Sequence, residues 1–579
     1  MPTSPGGLSP QPPSLEKRLP LALALMMLVL LVSQYIFKPA PGPKPVKPLN
    51  DNQAAQVAQK PSIPQAHSVG ASAEAAVPSG QTQVAAEVIT DIDTALYHVV
   101  FTNRGAVAKT WVLKQFRDDA GKPLEVVANT SGEVPLPFSL EITGQKPAFD
   151  PNTVLYRSQI SDGGLTIDYT YSDGVTSIRK SFSFLRDSYL SQIKSAVSVN
   201  GTPVPALLMW RGGFGDQKVR NAASTEHTVR YDTAAGKLVT KTIKDAKNGP
   251  VTDSGDYTFA GLEDNFFAAV ALPVDSSSLE VRTYSDTLKV PGDEKPVPYV
   301  GVGLATGVQN DLSLFVGPKD LDILKKVNPK LAQIIDWGFF GVIAKPLFIW
   351  LNYVKDHWTG NYGWAIILVT LIINLALFPF RLSSLKSARK MQKLQPQIKA
   401  INAKYKNIGI RDPKKAEQNQ EVMALYKQEG VNPVGGCLPL IVQLPFFYAF
   451  YRVLAIAIEL RHAPWLWVPD LSSPESLPIH LLPIILIATQ FLSQKLTPAA
   501  GVDPNQQKMM MFMPLMFGFM FYYASAGLVL YWLTGNVVGI AQQLIINRFM
   551  PTPPPEPAAP AASKGPVNSK APVKRTVKK

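Results

Sequence analysis

Apolar and polar sequence are segregated along this chain, and that segregation limits the fold more than any motif does. Among the 579 residues, uncharged apolar blocks fall within the first forty and the last 220, with an ordinary polar region between. A soluble enzyme spreads its apolar residues along the whole chain, so the pattern argues for several separate bodies, some of them in a membrane. The charge balance is 57 basic against 43 acidic residues, a net +14, which fits a membrane face or a nucleic acid. The single cysteine, Cys437, excludes a disulfide framework and a zinc cluster of paired CxxC motifs.

Leu19–Phe37 carries no charge and follows Lys17-Arg18. At ~1.5 Å per residue it nearly spans a hydrocarbon core of ~30 Å. It ends in Tyr-Ile-Phe-Lys-Pro, a poor cleavage site, so residues 19–37 read as an uncleaved signal anchor with residues 1–18 cytoplasmic. Residues 38–88 are rich in Pro, Ala and Gln and read as a flexible linker. From 89 to 333 the pattern is that of strands. Gly164–Tyr171 alternates, Ser172-Asp173-Gly174 makes a turn, and Thr176–Leu185 alternates again, as do Leu190–Val199 and Leu279–Leu288. One large β-sandwich fits. The region holds no phosphate loop, HExxH or GxSxG motif, and His98 and His227 stand alone as structural histidines do.

Further apolar stretches follow at Trp364–Phe380, Cys437–Ile458, Leu477–Leu492 and Met509–Ile546, the last broken by Ala524-Ser525-Ala526-Gly527. Spans are expected at about 361–380, 436–458, 477–493, 509–523 and 528–546, six with the signal anchor. The loop 381–432 carries 12 Lys/Arg against 4 Asp/Glu, whereas 459–475 carries only Arg461. Basic loops stay inside, so both termini, the basic tail 549–579 and the 381–432 loop are expected in the cytoplasm, and the β region outside, in the periplasm. Residues 334–358 are apolar but contain Asp336, Lys345, Pro346, Lys355 and Asp356, which suits an interfacial amphipathic helix. In the 381–432 loop, Leu382, Leu385, Ala388, Met391, Leu394, Ile398 and Ile401 form an apolar stripe with Lys and Arg on the other faces. Glu417–Glu429 supplies a second helix, so a basic helical hairpin is expected. It would bind anionic lipid, or dock a ribosome or nascent chain.

Several motifs then carry a resemblance. Gln392-Lys-Leu-Gln-Pro396, Met423-Ala-Leu-Tyr-Lys427, Val431-Asn-Pro-Val-Gly-Gly-Cys-Leu-Pro439 and Gln443-Leu-Pro-Phe-Phe447 closely resemble the YidC/Oxa membrane protein insertases. So do Asp503-Pro-Asn-Gln-Gln-Lys508, Met513-Pro514 and Gly527-Leu-Val-Leu-Tyr-Trp532. The resemblance implies a multi-domain membrane protein, an α-helical bundle of six spans with a five-helix insertase core, plus a periplasmic all-β super-sandwich. It implies insertion and folding of inner-membrane proteins, alone or with the Sec translocon, through a hydrophilic groove open to cytoplasm and lipid. Nascent membrane proteins are the expected substrates. No enzymatic activity, cofactor, metal, nucleotide or direct action on nucleic acid is implied.

Polar residues within the spans are the groove candidates, because such residues face the bundle or water rather than lipid. Asn374 lies seven residues before Arg381, hence ~10 Å deep, and Gln443 lies at similar depth in the next span. Thr370 is one turn deeper than Asn374. Asn536 and Gln542 add polar groups to the last span. Here the chain departs from the family pattern: the groove's characteristic Arg aligns with Asn374. Gln443, Thr370 and an aromatic Tyr531 match groove positions, and Arg381 would supply charge at the mouth. Arg452 lies near the periplasmic end, where it would snorkel or pair with Glu459. Two other classes compete, a secondary transporter and a membrane-anchored periplasmic carbohydrate-binding protein. No inverted repeat supports the first and no sugar motif supports the second.

Overall fold

A computed structural model describes residues 84–118, 120–128, 134–217, 225–274, 278–288, 296–405, 414–431, 438–496, 514–516 and 518–549. The signal anchor, almost all of the linker, the tail from 550 and residues 509–513 and 517 of the expected 509–523 span lie outside the described residues. Two compact units emerge, one of them comprising the described residues up to Gly338 together with Ala455–Glu459.

The first unit is built of antiparallel strands. A four-stranded sheet holds Ile89–Asp93, Tyr97–Thr102, Val107–Arg117 and Pro123–Glu125. A ten-stranded sheet holds Leu190–Val199 between Thr176–Phe184 and Gln309–Pro318. A five-stranded sheet is centred on Val297–Ala305, between Leu279–Leu288 and Ala206–Trp210. Alternation in sequence becomes alternation in burial: every second side chain of Thr176–Phe184 is buried. The expected turn is present, with Asp173 Oδ1 accepting from the amides of Val175 and Thr176 at 2.9 and 2.6 Å and Gly174 at φ +91°.

The large sheets pack face to face, joined by Asn310 Nδ2 donating to the Ala206 carbonyl at 2.8 Å and by the Thr228 and Thr283 hydroxyls 2.9 Å apart. An aromatic cluster anchors the small sheet to both. The Phe101 and Phe182 rings lie 4.8 Å apart, and those of Trp111 and Trp210 lie 6.1 Å apart. Beneath it Lys180 is fully buried and donates to the carbonyls of Gly105, Ala106 and Phe138 at 2.6, 3.2 and 2.8 Å. Ala106 and Phe138 both have positive φ, so the ammonium clamps two left-handed corners. His227 pairs with buried Glu263 at 2.7 Å, and Lys319 reaches the same carboxylate at 2.8 Å. Burial alone would raise the Glu263 carboxyl; the cations outweigh it and hold it below the usual range. Among the described residues no cluster of His, Cys, Asp or Glu has the makings of a metal site.

The second unit is helical. Gly341–Val354 runs on to Thr359 and meets Tyr362–Ala376 at 113°. Gly360 makes the corner at φ +65°, and Asn361 Oδ1 caps the new helix by accepting from the amides of Gly363 and Trp364. Gly363 is required there, because a Cβ would stand 2.1 Å from the Trp465 ring. The chain re-forms a helix at Phe378–Lys393, with Pro379 in its first turn, where the missing N–H costs nothing. The expected hairpin helix is therefore longer at its start, and it breaks at Leu394 before Gln395–Lys404. Its partner spans Lys414–Gln428, and the predicted stripe is the contact: Met391, Leu394 and Ile398 pack on Tyr426 and Val431. Leu438–Ile456, Leu481–Leu496 and Ala526–Phe549 follow, and residues 514–516 and 518–521 of the expected 509–523 span are helical too. The first residues of the expected 477–493 span are not helical, and the helix starts only after Pro478. Among the described residues Ala526–Phe549 is by itself long and apolar enough to cross a membrane, and the bent pair qualifies when taken together.

Candidate functional site

On Tyr362–Ala376 the two sequence candidates bond to their own backbone. Thr370 is fully buried and its hydroxyl donates to the Ile366 carbonyl at 2.6 Å. Asn374 is half-buried and donates through Nδ2 to the Thr370 carbonyl at 2.8 Å. Such back-bonding is how short polar side chains satisfy themselves inside a helix. Asn374 sits in the last turn, whose carbonyls lack helical donors. The donor comes from elsewhere: Gln542, on Ala526–Phe549, donates through Nε2 to the Asn374 carbonyl at 3.2 Å.

Gln542 is buried, and its Oε1 accepts from Arg381 Nη1 at 3.2 Å. Half-buried Arg381 lies against the same helix one turn away, where Gly539 has no side chain to exclude it. Asn374, Arg381 and Gln542 are thus brought together by three helices. A second tie lies further along, where Arg389 Nη2 donates to Asn547 Oδ1 at 2.7 Å and Gln543 Nε2 donates to the same oxygen at 3.0 Å.

The remaining candidates are placed elsewhere. Gln443 is exposed on Leu438–Ile456. Tyr531 is buried, stacked on Phe450 of that helix at 4.2 Å. Asn536 reaches Thr489 of Leu481–Leu496 at 3.4 Å. Arg452 is half-buried toward the far end of Leu438–Ile456. Gly539, Arg389 and Asn547 escaped sequence reasoning; the one available signal was Gly539 standing three residues before Gln542, on the same helical face. Lys386, Lys390, Lys393 and Lys399 are exposed on the hairpin, whereas Lys404 and Tyr405 are engaged by Glu421.

Two family models match this chain, that of the YidC periplasmic domain over residues 89–350 and that of the 60Kd inner membrane protein over residues 354–553. A membrane protein insertase YidC of Citrifermentans bemidjiense is 34% identical over 561 residues, covering 92% of this chain and 99% of the relative. The chain belongs to the YidC family of membrane protein insertases. The YidC insertase of Geobacter sp. strain M21 is 36% identical over 474 residues, covering 79% of this chain and 85% of that one. A crystal structure of an active YidC insertase with its first transmembrane domain resolved is 21% identical, with a TM-score of 0.34, covering 79% of this chain and 92% of that chain. YidC proteins insert membrane proteins, so the transporter and carbohydrate-binding readings give way. The β-rich and helical regions are those of the YidC architecture, whose homologues are inner-membrane proteins.

Proposed function

We propose that this insertase works through a hydrophilic groove in its helical unit, lined by Asn374, Thr370, Gln443, Asn536 and Gln542, with Tyr531 as an aromatic wall and Arg381 at the cytoplasmic mouth. The observation that carries the reading is the bridge in which Gln542 links the Asn374 carbonyl to the Arg381 guanidinium, a polar junction of three helices. Unsatisfied polar groups in hydrocarbon cost several kcal/mol each, so a wet polar path lowers the barrier for a short hydrophilic tail. The apolar segment of the same substrate stays in lipid, and no nucleotide is needed.

The groove belongs to a six-span inner-membrane protein with both termini and the basic hairpin in the cytoplasm and the β unit in the periplasm. The asymmetry of Lys and Arg supports this orientation. The 113° corner at Gly360 supports an interfacial position for 334–358. Partners on this reading are nascent membrane proteins, the Sec translocon, the ribosome and anionic lipid facing the hairpin lysines. Cysteine accessibility in a Cys437→Ser background tests the orientation. Asp187→Cys, on an exposed β-domain loop, should react with an impermeant thiol reagent added outside spheroplasts. Asn419→Cys, exposed on the second hairpin helix, should react only after lysis. The reverse pattern overturns the topology.

A further inference from the structure

The segment joining Leu438–Ile456 to Leu481–Leu496 contains a turn that a wholly aqueous setting does not account for. Trp465 and Val468 exchange both backbone hydrogen bonds at 2.8 Å, which leaves Leu466 and Trp467 at the tip. Leu466 has φ +49°, in the left-handed region that such a turn ordinarily gives to glycine at its first central position. A bulky side chain is disfavoured there, and this one is also 63% exposed. Backbone strain and an exposed apolar group at the same residue point to a contact outside the chain.

The turn is firmly mounted. Buried Trp465 packs on Gly363, where a Cβ would stand 2.1 Å from its ring, and the Pro464 carbonyl accepts from Asn361 Nδ2 at 2.7 Å. The Leu471 and Ser473 carbonyls accept from the amides of Gly527 and Ala526 at 2.9 and 2.8 Å, and Glu475 Oε2 accepts from the Leu482 amide at 2.8 Å. The segment thus joins the N-terminal ends of three helices, Tyr362–Ala376, Leu481–Leu496 and Ala526–Phe549, whose first amides lack helical acceptors. Its acids are turned inward. Buried Asp470 accepts from the Ser472 and Ser473 hydroxyls at 2.8 and 2.9 Å, and buried Glu475 accepts through Oε1 from the Trp467 indole at 2.6 Å. What faces outward is Leu466, part of the Trp467 ring, and exposed Trp364, 5.7 Å from the Trp465 ring. Tryptophan beside an uncharged apolar tip suits the boundary between headgroups and acyl chains.

We propose that the Leu466–Trp467 turn is a lipid anchor, dipping into the outer leaflet of the membrane and setting the depth of the three helix starts it joins. The inference rests on the membrane orientation above, which puts all three starts on the periplasmic side. Its partner is the acyl chain beneath the headgroup, with no demand for lipid charge.

The test uses the full-length protein with Cys437→Ser in nanodiscs of phosphatidylethanolamine and phosphatidylglycerol, where water reaches both faces. Single cysteines carry an environment-sensitive fluorophore at Leu466→Cys, at Val537→Cys on an exposed position of the last helix, and at Asp187→Cys on a β-domain loop. Nitroxide on the lipid chain should quench the 466 probe several-fold more than the 187 probe, best with the nitroxide near the headgroup, and iodide should quench it several-fold less. The quenching should not change when phosphatidylglycerol is left out. A 466 probe that behaves like the 187 probe overturns the proposal, and is the result expected of a tip reserved for a partner protein. A 537 probe untouched by lipid nitroxide would instead overturn the membrane reading of the last helix, and the anchor with it. Should Leu466→Cys fail to accumulate, brominated lipid chains read Trp467 directly. They should quench less of the tryptophan signal in Trp467→Phe than in the wild type, and equal quenching overturns the proposal.

Discussion

Gln542 closes the open end of another helix by donating its side-chain amide to the main-chain carbonyl of Asn374 at 3.2 Å. The bond ties the last helix to a carbonyl that its own helix leaves over, and it needs no particular side chain at position 374. Polarity at 374 is therefore free to serve something other than packing, while Gln542 does the joining.

That separation of roles makes Asn374 testable. Asn374→Leu and Gln443→Leu should each reduce insertion, and the double variant should reduce it more than either. Each change removes a group that solvates a passing polar tail. Asn374→Arg should be tolerated if water reaches it, since an Arg in dry packing costs at least ~2.5 kcal/mol and lowers protein levels. Complementation of a depletion strain, with immunoblotting of the membrane fraction, separates lost activity from lost protein. A silent double variant together with unstable Asn374→Arg would place Asn374 outside any groove.

The hairpin offers a second prediction. Leu394 lies in the cluster with Met391, Ile398, Tyr426 and Val431. Leu394→Ala should cost ~2 kcal/mol or more and loosen the two helices. Trypsin cleavage at the hairpin lysines should then rise roughly ten- to a hundredfold, because local opening controls access. Met423→Ala, on an exposed position, should leave cleavage unchanged. Equal cleavage in the two variants would show that the cluster does not hold the hairpin closed.

The hairpin and the strands were legible for a common reason. A period of two or of 3.6 is written in one stretch of chain, so Thr176–Phe184 and the Leu382–Ile401 stripe need no knowledge of other elements. The contact of Arg381 with the last helix is not of that kind. Its partners Gly539 and Gln542 are some 160 residues away, and which face of the last helix they share with Arg381 depends on packing that no local period encodes. Thr370 shows the complementary limit: depth arithmetic located it, but its hydroxyl turns back to Ile366, a choice made by the helix itself. Sequence likewise left His227 solitary, because its partner Glu263 arrives from a neighbouring strand.

Lys180 gives a stability prediction for the β unit. Lys180→Met keeps the shape but strips the donors from the carbonyls of Gly105, Ala106 and Phe138. At ~1–3 kcal/mol for each buried unsatisfied group, the loss should exceed ~3 kcal/mol. Thermal unfolding of the detergent-solubilised protein, followed through the tryptophan signal, measures it. Lys194→Met, removing an exposed pair with Asp311, should change stability by less than ~1 kcal/mol. Similar shifts in the two variants would mean that the clamp adds nothing to the left-handed corners.

Glu226 predicts how stability responds to pH. It is buried beside Gly213, accepts from Gln217 Nε2 at 2.7 Å, and has the acidic Asp264 nearby. Burial, reinforced by Asp264, pushes its carboxyl up to about 8. The unfolded chain ionises near 4.5, so the folded carboxyl keeps a proton that the unfolded one has lost across the interval between. Its contribution to stability is therefore complete below pH 4.5, falls as pH rises toward 8, and is level above that. Glu226→Gln keeps an uncharged side chain of the same size that still accepts from Gln217. The variant should match the wild type at pH 4.5 and exceed it by a few kcal/mol at pH 8, at ~1.4 kcal/mol per pH unit. Asp264 is raised too and is present in both proteins, so the difference between them isolates Glu226. Thermal unfolding at pH 4.5, 6 and 8 reads that difference, and parallel curves for the two proteins would mean that Glu226 is ionised in the folded state.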